Sequence, residues 1–214
     1  MKIAITSRVT KAPNYEEIRD AISQEWAEVL ENLKLKIIFI PNNLKKLPEF
    51  LDEVNVDGII LSGGDNIGDH PKRDQTEDQL IRYGIKKNIP IFGVCRGMQV
   101  INQFFGGKIR LSDSNDHVRK YHEILISDNF DQFFKRNSEK VNSFHHNFIS
   151  NEDLGKDLIS FAKHKDSTVE GMYHKNLPII GVMWHPERES PNPEENDKIV
   201  KAFLNREWFW SDKK

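Results

Sequence analysis

Gly93-Val94-Cys95-Arg96-Gly97 sets the only cysteine of the chain between two glycines, where a β-rich run gives way to a helical pattern. This G-x-C-x-G is the sulfur counterpart of the G-x-S-x-G nucleophile elbow. A turn sharp enough to expose the central side chain leaves no room for neighbouring Cβ atoms, hence glycine on both sides. A thiol at a helix N-terminus feels the positive end of the helix dipole, which favours the attacking thiolate. The peptide N–H of Arg96 would point toward an oxyanion developing beside it. A lone cysteine is more often a buried structural residue; the flanking glycines and the junction favour the nucleophile.

A thiolate nucleophile needs a base, and the base an orienting group. Of the eight histidines, His185 in Val182-Met183-Trp184-His185-Pro186-Glu187 has the best context. Pro186 biases His185 to extended backbone. Residues i and i+2 of an extended chain share a face, so Glu187 is placed to hold the imidazole. Ser62-Gly63-Gly64-Asp65 closes another apolar run, and Gly64 is the natural second oxyanion donor. No phosphate-loop spacing and no G-x-G-x-x-G occurs. His145 and His146 are adjacent and diverge on a strand, no H-x-x-x-H exists, and one cysteine builds no thiolate cluster. The expectation is therefore no metal and no cofactor.

These residues need elements to hold them. Strands are expected over Lys2–Thr6, Lys36–Ile40, Gly58–Leu61 and Pro90–Val94, with helices between. Asn14 to Glu17 reads as a capping box opening a helix whose stripe is Ile18, Ile22, Trp26, Val29 and Leu33. Phe50, Leu51 and Val54 suggest a short helix. Thr76 is expected to cap a helix reaching Lys87, and Met98 to Phe105 to form the next. The second half is richer in strands: Glu123–Ile126, Val141–Phe144, Leu158–Ala162, Val169–Tyr173 and Pro178–Met183. Asn192-Pro193 opens a final helix, followed by Trp208-Phe209-Trp210, expected to cover the core. Apolar strands alternating with amphipathic helices predict an α/β fold with a mostly parallel central sheet covered on both faces.

The chain has 214 residues, with Lys+Arg 31 against Asp+Glu 33, a net charge of −2. That balance offers no basic face for nucleic acid or anionic lipid. With no linker or repeat, residues 1–214 read as one domain. No apolar run approaches a membrane span, and Met1-Lys2 leads directly into Ile3 without a signal-peptide layout. A lone cysteine forbids an internal disulfide and suits a reducing compartment, so a cytoplasmic location is expected. The oligomeric state stays open, a homodimer included.

Taken together, Gly-Gly-Asp, Gly-Val-Cys-Arg-Gly-Met-Gln, Val-Asn-Ser-Phe-His-His, Val-Glu-Gly-Met and Gly-Val-Met-Trp-His-Pro-Glu-Arg resemble, in order, the class I glutamine amidotransferase-like superfamily. The chain is most similar to its stand-alone γ-glutamyl hydrolases, the C26 peptidase group. The resemblance implies a flavodoxin-like amidotransferase architecture and a small-molecule γ-glutamyl conjugate as substrate. It assigns Cys95 as nucleophile, His185 as base, Glu187 as its partner, and the Gly64 and Arg96 amides as oxyanion hole. Gln99, His145 and His146 are implied in γ-glutamyl recognition; Glu170, in Val-Glu-Gly-Met, lies near the site with its role open. The segment between Gly64 and Arg73-Asp74-Gln75-Thr76-Glu77 is shorter than in enzymes that cleave γ-glutamyl-γ-aminobutyrate. A shorter flap admits a larger leaving group, with Lys72 and Arg73 placed to meet an anionic one. In this the chain resembles hydrolases of γ-glutamyl nucleotide amidates in capsule biosynthesis. A γ-glutamyl-γ-aminobutyrate-type hydrolase, a glutaminase subunit feeding ammonia to a separate synthase, and a non-catalytic binding protein are the alternatives.

Overall fold

The computed structural model describes residues 1–112, 117–130, 134 and 137–205. Trp208, Phe209 and Trp210 lie outside the described residues. In chain order the elements are β1 (Lys2–Thr6), β2 (Arg8–Lys11), β3 (Ile18–Ala21), α1 (Glu25–Asn32), β4 (Lys36–Ile40), α2 (Leu47–Val54), β5 (Gly58–Leu61), α3 (Pro71–Lys87) and β6 (Ile91–Val94). They continue with α4 (Arg96–Phe104), β7 (Arg110–Leu111), β8 (Val118–Ile126), β9 (Ser138–Phe144), β10 (Asn147–Phe148), β11 (Leu158–His164), β12 (Val169–His174), β13 (Ile179–Val182) and α5 (Pro193–Leu204).

Among the described residues a nine-stranded sheet runs β4-β1-β5-β6-β13-β12-β11-β8-β9. From β4 to β13 the neighbours are parallel. Their order matches the flavodoxin-like 2-1-3-4-5 arrangement, so ligand sites are expected at the carboxyl ends of these strands. From β13 to β9 every pairing is antiparallel. The α/β expectation holds, with an antiparallel extension supplied by the strand-rich second half.

Period two along β6 shows why both faces are covered. Ile91 packs under Gly84 of α3, and Gly93 lies beneath Gly97 and Ile101 of α4. Between them Phe92 points the other way and meets Phe203 of α5, ring centroids 5.7 Å apart. Helices α2 and α3 both stop at an asparagine in the left-handed conformation, Asn55 and Asn88, the usual substitute for a terminal glycine.

Two expected elements differ. No helix starts at Asn14: β2 and β3 form a hairpin, Arg8 opposite Ala21 and Lys11 opposite Ile18, leaving Ile18 exposed. Long-range anchors override the helical spacing. Asp20 accepts from the Asn42 backbone N–H and from its Nδ2 at 2.9 and 2.6 Å, and Asp65 Oδ2 accepts the Val9 N–H at 3.0 Å. Only the later part of the stripe, around Trp26, is helical. Thr76 caps nothing either; it is buried inside α3, which begins at Pro71. Proline suits the first helical position, and the earlier start puts Arg73 and Glu77 one turn apart on the buried face.

The close approach of α4 to the sheet has a direct test. A Cβ on Gly97 would sit 2.0 Å from the Leu61 carbonyl oxygen, a backbone atom that cannot step aside. Gly97→Ala is expected to cost about 3 kcal/mol, lowering the thermal midpoint by about 6 °C or more. An unchanged midpoint in a calorimetric scan would contradict this packing.

Candidate active site

Chain ends at the carboxyl edge of the parallel strands bring the chemistry together. Cys95 follows β6 directly and caps α4, with φ 51° and ψ −105°. Positive φ is unusual for a residue with a Cβ and costs of order 1–3 kcal/mol. Close packing enforces it: a Cβ on Gly93 would fall 2.6 Å from Ile101 Cδ1 and 2.7 Å from the Gly97 carbonyl carbon. The Cys95 N–H donates to the Val182 carbonyl at 2.8 Å, tying the turn to β13. This is the elbow expected from the glycine spacing.

His185, three residues beyond β13, lies beside the Cys95 thiol, close enough that each group shifts the ionisation of the other. Its Nδ1 lies 2.7 Å from Glu187 Oε1. Both side chains are buried, so the pair works in a medium of low dielectric. Asn142 of β9 fixes the backbone beneath them. Its Oδ1 accepts the His185 N–H at 2.8 Å, and its Nδ2 donates to the carbonyls of His185 and Glu189 at 2.9 and 3.0 Å. Gly63 closes the other side: a Cβ there would come within 2.8 Å of His185 Cε1 and 3.7 Å of Cys95 Cβ.

Burial alone would raise the Cys95 pKa, yet the net shift is downward because His185 and then His145 place positive charge beside it. For His185, burial opposes the charged form, while the Cys95 thiolate and the Glu187 carboxylate outweigh it and raise the pKa to about 9. Each charged form therefore favours the other, and the thiolate is the reactive form of a sulfur nucleophile.

The two proposed oxyanion donors rest on a buried charge network. Arg96, the first residue of α4, has an N–H with no intrahelical acceptor. Gly64 has φ +132°, a backbone open to glycine. Arg73, fully buried, donates from Nη2 to the carbonyls of Ser62 and Gly63 at 2.9 and 3.0 Å and from Nη1 to Asp65 at 3.1 Å. Its Nε donates to Glu77 Oε1 at 3.0 Å, and Glu77 Oε2 accepts from Arg96 Nη1. Arg96 Nη2 reaches Asp74 at 2.5 Å. Arg73 therefore does not meet a leaving group: its guanidinium is taken up in holding the Ser62–Gly64 loop against α4. Lys72 beside it is exposed on α3.

Gln99 is buried one turn along α4, with Nε2 3.7 Å from Met183 Sδ. His145 is buried; Nδ1 is 3.0 Å from the Asn147 carbonyl and Nε2 3.6 Å from Glu170 Oε1. His146 is exposed, so the adjacent pair does diverge. Glu170 is fully buried among imidazoles; burial opposes its ionisation, but His122 and His145 prevail and hold it at about 2. Sequence reasoning passed over Asn142 and Glu77. The i, i+4 spacing of Arg73 and Glu77 was the available signal for the second.

A thiol beside an imidazole that is itself hydrogen-bonded to a carboxylate, near helix-terminal and loop amides, is an arrangement able to cleave amides through the sulfur. Residues 16–205 match the glutamine amidotransferase class-I family, and the chain belongs to it. It is 34% identical over 216 residues to the gamma-glutamyl-CDP-amidate hydrolase of Campylobacter jejuni subsp. jejuni serotype O:2, covering 98% of each chain. It is 32% identical over 171 residues to the carbamoyl phosphate synthase small chain of Aquifex aeolicus, covering 79% of this chain and 42% of that one. The glutaminase domain of Trypanosoma brucei CTPS has the same fold, with TM-score 0.72 at 18% identity over 96% of this chain and 94% of that one.

Two measurements test the site. Replacing His185 with Gln removes the opposing charge and leaves burial, which favours the neutral thiol, so the thiol pKa must rise. Cys95 alkylation by iodoacetamide at pH 7 should slow at least about tenfold; an unchanged rate would show that His185 does not polarise the sulfur. Glu77→Gln strands part of two buried guanidinium charges and should cost about 3 kcal/mol in a urea titration. A loss below about 0.5 kcal/mol would place the network among weak surface pairs.

Proposed function

We propose that this chain hydrolyses a γ-glutamyl amide whose leaving group is anionic, with γ-glutamyl-CDP-amidate as substrate and glutamate and cytidine diphosphoramidate as products. The observation that carries the reading is the convergence of Cys95, His185 and Glu187, with His185 Nδ1 2.7 Å from Glu187 Oε1, near a groove lined by two arginines. The Cys95 thiolate attacks the γ-carbonyl carbon, and the Gly64 and Arg96 amides stabilise the tetrahedral oxyanion. The His185 imidazolium gives its proton to the departing nitrogen, leaving a γ-glutamyl thioester. His185, now neutral, takes a proton from water, whose attack releases glutamate and restores the thiol.

Because His185 protonates the leaving nitrogen, the leaving group departs on the His185 side. There the Phe144 ring stands edge-on to His185 with centroids 5.7 Å apart, and the Arg188 guanidinium lies 4.4 Å over Phe144. Phe144 and Arg188 line a groove of about 660 Å³ with Arg8, Thr10, Tyr121 and Glu189. Arg8 borders Gly64: a Cβ on that glycine would lie 3.0 Å from Arg8 Cβ. Two guanidiniums and two exposed aromatic rings suit a nucleoside diphosphate, through charge-assisted hydrogen bonds and stacking. Arg8 and Arg188 thus take the part expected of Arg73. A γ-glutamyl-γ-aminobutyrate conjugate would leave both arginines without a diphosphate.

Glutamate release from the CDP conjugate should vanish in Cys95→Ala while the circular dichroism spectrum stays unchanged. Arg8→Ala and Arg188→Ala should each raise KM for that conjugate about tenfold, as loss of a charged hydrogen bond does, without raising it for γ-glutamyl-γ-aminobutyrate. Equal effects on both substrates would remove the nucleotide assignment. Strong glutamine hydrolysis seen only with a partner protein would favour the reading as an ammonia-supplying glutaminase.

A further inference from the structure

The antiparallel extension gathers histidines that the mechanism above does not use. His117 immediately precedes β8, His122 lies within it, His145 follows β9, His164 ends β11, and Glu170 sits on β12; all are buried. His117 Nδ1 and His145 Nε2 lie 3.7 and 3.6 Å from Glu170 Oε1, and His122 Nε2 lies 3.3 Å from Oε2. None of these three nitrogens has a hydrogen-bond partner, nor does Glu170 Oε2; Oε1 receives only the Thr168 hydroxyl at 3.4 Å. Several polar atoms buried together and facing one another unpaired are costly as they stand.

The outer nitrogens explain the orientation. His145 Nδ1 lies 3.0 Å from the Asn147 carbonyl, which can only accept, so its proton is on Nδ1. His117 Nε2 lies 2.8 Å from the Asp166 carboxylate. The inner nitrogens of His117 and His145 both face Glu170 Oε1, with the ring centroids 4.9 Å apart. A proton fills the gap when His145 is charged, as Glu170 favours, and a bare lone pair faces the carboxylate when it is neutral. Lone pairs facing a carboxylate repel unless a cation lies between. Ligands bound tetrahedrally at 2.0–2.2 Å stand about 3.3–3.6 Å from one another, close to the separations here. An imidazole held from behind by a carboxylate or a carbonyl is how proteins present histidine to a metal.

We propose that His117, His145 and Glu170, whose ligand atoms lie within 4.8 Å of one another, bind one divalent transition-metal ion of the zinc type. Two imidazoles and a carboxylate leave the fourth position of a tetrahedral shell to a solvent molecule. The ion would pin β8, the end of β9 and β12 together directly behind Cys95, and it makes His145 a ligand instead of a γ-glutamyl contact. The expectation of no metal weighed the adjacent pair His145 and His146, the missing H-x-x-x-H spacing and the single cysteine. The structure uses His145 with partners from separate strands.

The test uses the whole chain, without a histidine tag, stripped with a chelator and titrated with Co²⁺. One equivalent should bind, giving the visible absorption of tetrahedral cobalt without a thiolate charge-transfer band, and Zn²⁺ should displace it. Cys95→Ser should bind equally well. Glu170→Gln should weaken binding at least a hundredfold, and Asp166→Asn, at the exposed back of the site, about tenfold or more. No binding by the wild-type chain at micromolar Co²⁺ would overturn the proposal. So would loss of binding in Cys95→Ser, which would move the metal to the thiol, or full affinity in both Glu170→Gln and Asp166→Asn. If Glu170→Gln does not fold, the wild-type titration and Asp166→Asn decide.

Discussion

Everything at this site depends on one residue held in a backbone conformation that its side chain disfavours. Cys95 stands at positive φ because β6 must turn at once into α4, and α4 lies so close to the sheet that only glycine fits at positions 93 and 97. The strain is small against the burial of the surrounding strands and helices, so the fold can sustain it. In return the sulfur emerges at the end of a strand, at a helix N-terminus, facing the loop after β13. Relaxing the turn would move the sulfur away from both His185 and the Arg96 amide.

Glu77 links the remaining parts. One carboxylate receives Arg73 on one oxygen and Arg96 on the other, so the Ser62–Gly64 loop and the head of α4 share an anchor. The two amides proposed as oxyanion donors would have to keep a fixed separation, and they follow strands that are neighbours in the sheet but distant in sequence. A buried ion pair of this kind adds little net stability. Its contribution is register, since neither guanidinium can shift without leaving a charge unpaired.

Local patterns were legible. The glycines around Cys95 report a backbone constraint acting within a few positions, and the structure meets it. His185 and Glu187 do pair, but across a turn closed by the Arg188 N–H on the His185 carbonyl and not along extended backbone. The parallel strands were equally plain, because strands buried on both faces are apolar throughout. Misreadings arose where distant contacts decide. Ile18 and Ile22 have helical spacing, but Asp20 is claimed by Asn42 and Val9 by Asp65, so a hairpin forms. Arg73 was expected to meet an anionic leaving group; an earlier helix start turned it inward. The histidines around Glu170 lie on four segments with no characteristic spacing, and only the antiparallel pairing of β8, β9, β11 and β12 brings them together.

Cys95 is also the only sulfhydryl among the 214 residues. A peroxide that converts it to a sulfenic acid meets no resolving thiol on the same chain, so recovery depends on a small reductant reaching a buried sulfur before over-oxidation to the irreversible sulfinic acid. The same singularity makes stoichiometry simple: each free thiol titrated in a preparation is one chain whose Cys95 is still reduced.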